Sequence, residues 1–189
     1  MKYVPTIITG LLLLLPLPSC LPGEAGTEWD ILNQEGEELY RTGRYGRAVI
    51  VAKKALQVAE KSVGPNPPTV ATSLNILALI YYAQGQYALA EPLYKRALAI
   101  YEQALGPDHP AVATGLNNLA ELHRTQGHYA LAEPLYKRAL AIIEKALGPD
   151  HPNVATGLNN LAELYRATER DTEAAKLERR AARIEAIQR

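Results

Sequence analysis

Four histidines are the residues of this chain best suited to hold a metal ion or to exchange protons: His109, His123, His128 and His151. His109 and His151 occupy equivalent places in two copies of the sequence GPDHP, which predicts loops. His123 takes a position that tyrosine takes at Tyr81 and Tyr165. None of the histidine pairs has the helical spacing of a metal site, and no thiolate is at hand to complete one. The pattern therefore predicts loop and core histidines and no metal site.

The sequence also has no motif for a catalytic nucleophile paired with a general base. Ser19 lies in an apolar N-terminal segment, and neither Ser62 nor Ser73 has the sequence context of a nucleophile elbow. The glycines recur periodically and do not form a phosphate-binding loop. We therefore expect a protein that is not an enzyme and that needs no cofactor.

The single cysteine, Cys20, ends a segment with the composition of an export signal. Met1-Lys2 is followed by an apolar stretch, residues 4–17, which is shorter than the roughly 20 residues of a membrane-spanning helix. Leu17-Pro18-Ser19-Cys20 resembles a bacterial lipobox, in which the cysteine becomes the lipidated first residue. This resemblance implies a signal peptide at 1–19, lipid attachment at Cys20 and a tether at 20–26. An ordinary cleaved signal and an uncleaved anchor are the alternatives.

The resemblance also implies where the protein resides. We expect it to be exported to the cell envelope. In the Gram-negative lipoprotein pattern that this segment resembles, an aspartate directly after the cysteine changes the membrane to which the lipoprotein is sorted. Leu21 occupies that position, so the anchor is expected at the outer membrane, facing the periplasm.

The charge pattern excludes several classes of partner. The chain has 20 basic and 20 acidic residues and a formal net charge of zero, so it lacks the electrostatic footprint of a nucleic-acid-binding protein. Basic pairs recur at Lys53-Lys54, Lys95-Arg96, Lys137-Arg138 and Arg179-Arg180. We expect these pairs to form a solvated helix face partnered by nearby glutamates.

A long internal repeat dictates the architecture. Residues 88–122 recur as residues 130–164 with changes at only three positions, Tyr101/Ile143, Gln103/Lys145 and Ala111/Asn153. The offset of 42 residues reaches backward to Asn33 and forward to Ile184, which indicates one unit copied four times. The predicted domain is 27–189, with repeats at about 27–66, 67–108, 109–150 and 151–189.

Each repeat has the pattern of two helices. Pro110 suits a first helical turn, with Asp108 or His109 before it as the cap, and Gly127 ends that helix. A second helix runs from about Tyr129 to Gly148. Pro92 and Pro134 lie early in the second helices, where we expect a loosened first turn and no break. Neither helix can bury its apolar stripe alone, so stacked repeats must supply the core.

These motifs resemble the tetratricopeptide repeat. LNNLA, AEPLYKRALAI and LGPDHP, at a spacing of 42 residues, resemble its kinesin-light-chain type over residues 27–189. The resemblance implies an all-α, right-handed solenoid of about four antiparallel helix pairs. It also implies a concave groove lined by the first helices.

The resemblance places nine residues in a peptide-binding groove. One asparagine per repeat would lie along it, where a side-chain amide can bond an extended peptide backbone without reading its sequence. The nine residues are Asn33, Asn75, Asn117, Asn159, Tyr82, Glu121, Arg124, Glu163 and Arg166.

We therefore expect a non-enzymatic protein-interaction module of the bacterial cell envelope. It would hold a peptide segment of a partner in its groove as an assembly or secretion accessory lipoprotein. The alternative is a structural repeat protein that associates with itself or stacks on another array and has no groove ligand.

Overall fold

A computed structural model describes residues 24–63 and 67–187 of the chain. Within these ranges the chain forms eight α-helices and no strand. The helices are α1 (Glu24–Arg41), α2 (Tyr45–Val63), α3 (Pro68–Ala83), α4 (Tyr87–Leu105), α5 (Pro110–Thr125), α6 (Tyr129–Leu147), α7 (Pro152–Ala167) and α8 (Asp171–Ile187).

The helices pack as four consecutive antiparallel pairs, and each pair stacks on the next. The backbones of neighbouring first helices lie close to each other (α1 with α3, α3 with α5 and α5 with α7), whereas in the described part of the chain the backbones of neighbouring second helices lie farther apart and are joined by long side chains. The stack therefore curves toward its first helices, and α1, α3, α5 and α7 line the concave side. The predicted all-α solenoid of four helix pairs is confirmed.

The predicted helix ends are also confirmed. Pro110 and Pro152 occupy the first turns of α5 and α7. Of the two cap candidates, His109 is the cap: its Nδ1 accepts a hydrogen bond from the backbone N–H of Ala111 at 3.1 Å, and His151 does the same for Asn153. Gly127 ends α5 with φ of 76°, and the equivalent residue of the last pair, Glu169, has φ of 59°. A non-glycine residue in this left-handed region is strained.

Small side chains allow the two helices of each pair to approach closely. Ala48, Ala90, Ala132 and Ala174 of the second helices are fully buried, as are Ala78, Ala120 and Ala162 of the first helices. Pro92 and Pro134 lie inside α4 and α6, and both helices continue past them, as expected. Tyr94 and Tyr136 are the largest fully buried side chains.

The predicted signal peptide, the lipid attachment at Cys20 and most of the tether lie outside the described residues. Helix α1 begins at Glu24, so residues 24–26, assigned to the tether, are helical. None of the helices found in 24–63 and 67–187 is long and apolar enough to cross a membrane.

Candidate binding groove

The first helices carry a polar stripe on the side where they meet. On α7 the stripe is spaced by three or four residues, so that its members share one helix face. It consists of Thr156, Asn159, Glu163 and Arg166, and the equivalent residues of α5 are Thr114, Asn117, Glu121 and Arg124. Polar contacts join the stripes of neighbouring first helices. The predicted groove residues of α5 and α7, with Tyr82 of α3, therefore lie together on the concave side of the stack, whereas Asn33 and Asn75 are buried.

The asparagines are tied to one another across the repeats. The Nδ2 of Asn118 donates to the Oδ1 of Asn75 at 3.0 Å, and the Nδ2 of Asn160 donates to the Oδ1 of Asn117 at 2.9 Å. These bonds fix the orientation of the Asn75 and Asn117 amides. Within the described ranges, the amide nitrogens of Asn75 and Asn117 make no hydrogen bond of their own.

The two outer asparagines depart from this arrangement. Asn33 is 8% exposed and donates to the backbone oxygen of Trp29, and its buried Oδ1 has no partner. The reason is that Ile76 occupies the position from which Asn118 and Asn160 donate. Asn159 is only partly buried and lies 3.4 Å from a carboxylate oxygen of Glu185. The four predicted asparagines thus differ in how much of each side chain a ligand could reach.

Glu121 is the centre of the polar network on the concave side. Arg124 donates to both of its carboxylate oxygens, at 2.8 and 2.7 Å. Tyr136 of α6 donates at 2.6 Å and Tyr82 of α3 at 3.0 Å, with a longer contact from Thr125. The carboxylate therefore links three helices of two successive repeats.

The protonation equilibria reflect this network. Burial raises the pKa of Glu121, but the hydrogen bonds from Arg124, Tyr136 and Tyr82 and the charge of Arg124 outweigh it and hold the pKa below its usual value. Burial, together with the adjacent Glu121 carboxylate, raises the pKa of Tyr82 to about 12 and that of Tyr136 still further. Near neutral pH the cluster therefore consists of a carboxylate, a guanidinium and neutral phenols.

The charged residues of the last repeat are more accessible. Glu163 lies 3.4 Å from Arg124, and its side chain is 46% exposed, against 24% for Glu121. Arg166 donates to both carboxylate oxygens of Glu178 in α8 at 2.7 Å. Glu163 is thus the groove carboxylate most open to a ligand.

The nine predicted residues omit several members of this network. Asn118 and Asn160 orient the predicted asparagines, and Tyr136 of a second helix reaches the groove carboxylate. A signal for Asn118 and Asn160 was present in the sequence, because LNNLA has two adjacent asparagines. The second asparagine of one repeat can therefore bond to the first asparagine of the preceding repeat, 43 residues earlier. The role of Tyr136 has no such signal, since the preceding copy has a tyrosine at the equivalent position, Tyr94, but Leu79 in place of Glu121.

The recurring basic pairs serve the stack itself, as expected. Lys95 and Lys137 bond to glutamates one turn earlier in their own helices. In the last three pairs the second member reaches a glutamate of the preceding repeat: Arg96 reaches Glu60, Arg138 reaches Glu102 and Arg180 reaches Glu144. In the first pair, Lys54 reaches Glu28 of its own repeat. No cluster of metal-ligating side chains occurs in residues 24–63 and 67–187.

Comparison with known proteins identifies this architecture. A family model described as "Tetratricopeptide repeat" matches residues 30–103, 69–145 and 114–184. No curated protein sequence matches the chain.

Three solved structures illustrate the likeness. BtubC (BKLC) from P. vanneervenii is 26% identical, with a TM-score of 0.78 over 90% of this chain and 68% of that one. A putative kinesin light chain of Podosopora anserina, with nearly identical TPR-like repeats, is 24% identical, with a TM-score of 0.75 over 87% and 78% of the two chains. The pilF protein of Pseudomonas aeruginosa is 20% identical, with a TM-score of 0.65 over 86% and 63%. The last two likenesses are of fold alone.

Proposed function

Because the chain belongs to the tetratricopeptide repeat family, whose members are typically scaffolds for protein interaction, we propose that it holds a segment of a partner protein in its concave groove. The supporting observation is the row of oriented amides on the concave side. Asn117 is partly exposed, and no other described residue engages its amide nitrogen; the oxygens of the partly exposed Asn118 and Asn160 are equally unengaged. The amide nitrogen of Asn75 is also unengaged, but Asn75 is only 3% exposed, so it contributes less to this row. Donors and acceptors in one row match the alternating carbonyl and N–H groups of an extended peptide.

The charged residues of the groove favour recognition of the partner's peptide backbone over recognition of its charged side chains. Arg124 is held by Glu121, and Arg166 is held by Glu178. A ligand with many charges would have to compete with these internal pairs. Recognition of partner backbone by the amides, with shape and apolar contacts, is therefore the mode that the groove supports best.

Site-specific photocrosslinking tests this proposal. A photoreactive residue at Thr156, exposed in the groove, is expected to crosslink a partner in envelope extracts, whereas one at Ala141, exposed on the opposite side of α6, is not. Asn159→Ala should reduce capture from Thr156 without changing the melting temperature, because its one contact is a long one to Glu185. Equal capture from both positions would show that the partner does not bind in the groove.

We further propose that the protein acts in the cell envelope, attached through a lipid on Cys20. Support comes from the sequence alone, in the lipobox-like Leu17-Pro18-Ser19-Cys20. Radiolabelled palmitate should enter the full-length protein but not its Cys20→Ser variant. An unlabelled mature protein beginning after Gly23 or Ala25 would instead establish plain secretion.

The alternative of a self-stacking array has less support. Glu35 and Glu38 of α1 occupy the positions at which Leu119 and Leu122 of α5 pack against the preceding repeat. At the other end, Glu178 replaces the buried Tyr136. Both ends of the stack therefore carry carboxylates at positions that are buried in the inner repeats, although Ile31 of α1 is 62% exposed on the first of them. Sedimentation of the protein at micromolar concentration should accordingly show a monomer.

A further inference from the structure

The turn between α5 and α6 brings two histidines together. His123 is 6% exposed, and its buried Nδ1 has no hydrogen-bond partner. The ring of the exposed His128 lies 6.0 Å from it, centroid to centroid. The turn fixes this proximity, because the backbone N–H of His128 donates to the carbonyl of His123 at 2.8 Å.

The other repeats have different chemistry at these two positions. In the last repeat they are Tyr165 and Arg170, whose guanidinium lies 3.8 Å from the ring centroid. Both also bond to Glu133 of the preceding repeat. The second repeat has Tyr81 and Gln86, and the first has Leu39 and Arg44. The third repeat is thus the only one with imidazoles at both positions, and histidine is the residue type that changes charge between about pH 5 and 8.

The groups that face this pair belong to α4. Glu91 and Lys95 are paired with each other at 2.6 Å, at the positions equivalent to Glu133 and Lys137. Burial lowers the pKa of His123, and the charges of Lys95 and His128 lower it further, against an opposing effect of Glu91. Protonation would place a positive charge and a second N–H in a buried site that offers Nδ1 no acceptor.

We propose that the junction between the second and third helix pairs is an acid-sensitive hinge, which loosens when His123 is protonated, whereas the junction between the third and fourth pairs does not respond. To hydrate the imidazolium, α5 must move away from α4. That movement changes the curvature of the concave face. The proposal is independent of whether the groove holds a ligand.

The direction in which pH changes the stability follows from the lowered pKa of His123. A histidine whose pKa is lowered in the folded state binds its proton more tightly when unfolded. Its contribution to stability is therefore present above the ordinary histidine pKa and is lost as the pH falls below it. We expect the melting temperature to fall by about 2–4 °C between about pH 7.5 and pH 5.5.

Spin-label distances on the full chain, with Cys20→Ser, test the hinge directly. Ala99, Ala141 and Arg183 are exposed at equivalent positions of α4, α6 and α8. Labels at 99 and 141 span the second and third pairs, and labels at 141 and 183 span the third and fourth. The 99–141 distance distribution should broaden or shift at about pH 5.5. The 141–183 distribution should stay unchanged, and a similar response of the two, or of neither, would refute the hinge.

Substitution at His123 separates this hinge from general acid effects. His123→Tyr installs the residue of the second and fourth repeats and should abolish the change in the 99–141 distance. His128→Arg installs the residue of the fourth repeat at the partner position and should leave the change in place, because His123 still titrates. Persistence of the acid response in His123→Tyr would show that another group causes it.

Discussion

Truncation of Glu121 is the sharpest test of how the concave side is held. Glu121→Ala removes the acceptor for Arg124, Tyr82 and Tyr136 together. It also leaves the Arg124 guanidinium, whose side chain is 19% exposed, with only the more distant Glu163 at 3.4 Å.

The expected loss can be bracketed from these contacts. Removing one partner of a fully buried ion pair costs about 3–5 kcal/mol, because the other charge is left uncompensated. Glu121 is only partly buried, with 24% of its side chain exposed, so the free energy of unfolding should fall by about 2–4 kcal/mol. The melting temperature should then drop by roughly 6–12 °C.

Glu163 provides a matched control. It occupies the same position of the next repeat, on the same face, but its side chain is 46% exposed and it has only the 3.4 Å contact with Arg124. Glu163→Ala should therefore lower the free energy of unfolding by less than about 1 kcal/mol. Urea unfolding followed by circular dichroism measures both variants. Equal losses in the two would refute the assignment of Glu121 as the residue that holds this network.

The protonation of Glu121 adds a dependence on pH. Its pKa is lowered in the folded protein. Its contribution is therefore present above the ordinary glutamate pKa and is lost as the pH falls through the lowered value. Glu121→Ala should accordingly flatten the acid limb of the stability curve relative to the native protein, and an unchanged limb would contradict the network.

Three further substitutions test the helix ends, the core and the inter-repeat pairs. His109→Ala should destabilise by about 1 kcal/mol in urea unfolding, and His109→Asn should not, since it retains a capping acceptor; equal losses would exclude a capping role. Ala120→Leu should cost about 1–3 kcal/mol through overpacking, whereas Ala141→Leu on the exposed face should change stability by less than about 0.5 kcal/mol. Arg138→Gln should lower the melting temperature only slightly, and the difference should vanish in about 1 M salt, where exposed pairs are screened. A loss that persists in salt would show that Arg138 acts through packing.

Much of the architecture was predictable because it depends on local sequence that is copied. Proline and histidine mark the starts of α5 and α7, glycine marks the ends of α1, α3 and α5, and buried alanines recur where helices approach each other. A repeat whose two apolar helix faces cannot be buried alone must stack. The number of helix pairs follows from these features, whereas the position of the polar stripe on the concave side was implied by the resemblance to the tetratricopeptide repeat.

The sequence by itself thus determined the repeat and the helices, and its resemblance to the tetratricopeptide repeat predicted the face on which the candidate groove residues lie. Only the tertiary structure decided what those residues contact. Asn117 and Asn159 occupy copies that differ at three positions, yet Asn117 accepts a hydrogen bond from Asn160, whereas Asn159 lies 3.4 Å from Glu185 of α8. Likewise the Glu121 carboxylate accepts hydrogen bonds from residues of two repeats. The Glu163 carboxylate has only its 3.4 Å contact with Arg124. The physical reason is that each groove side chain reaches into the neighbouring repeat, so its partners depend on which repeat follows or precedes it, a property that no single copy contains.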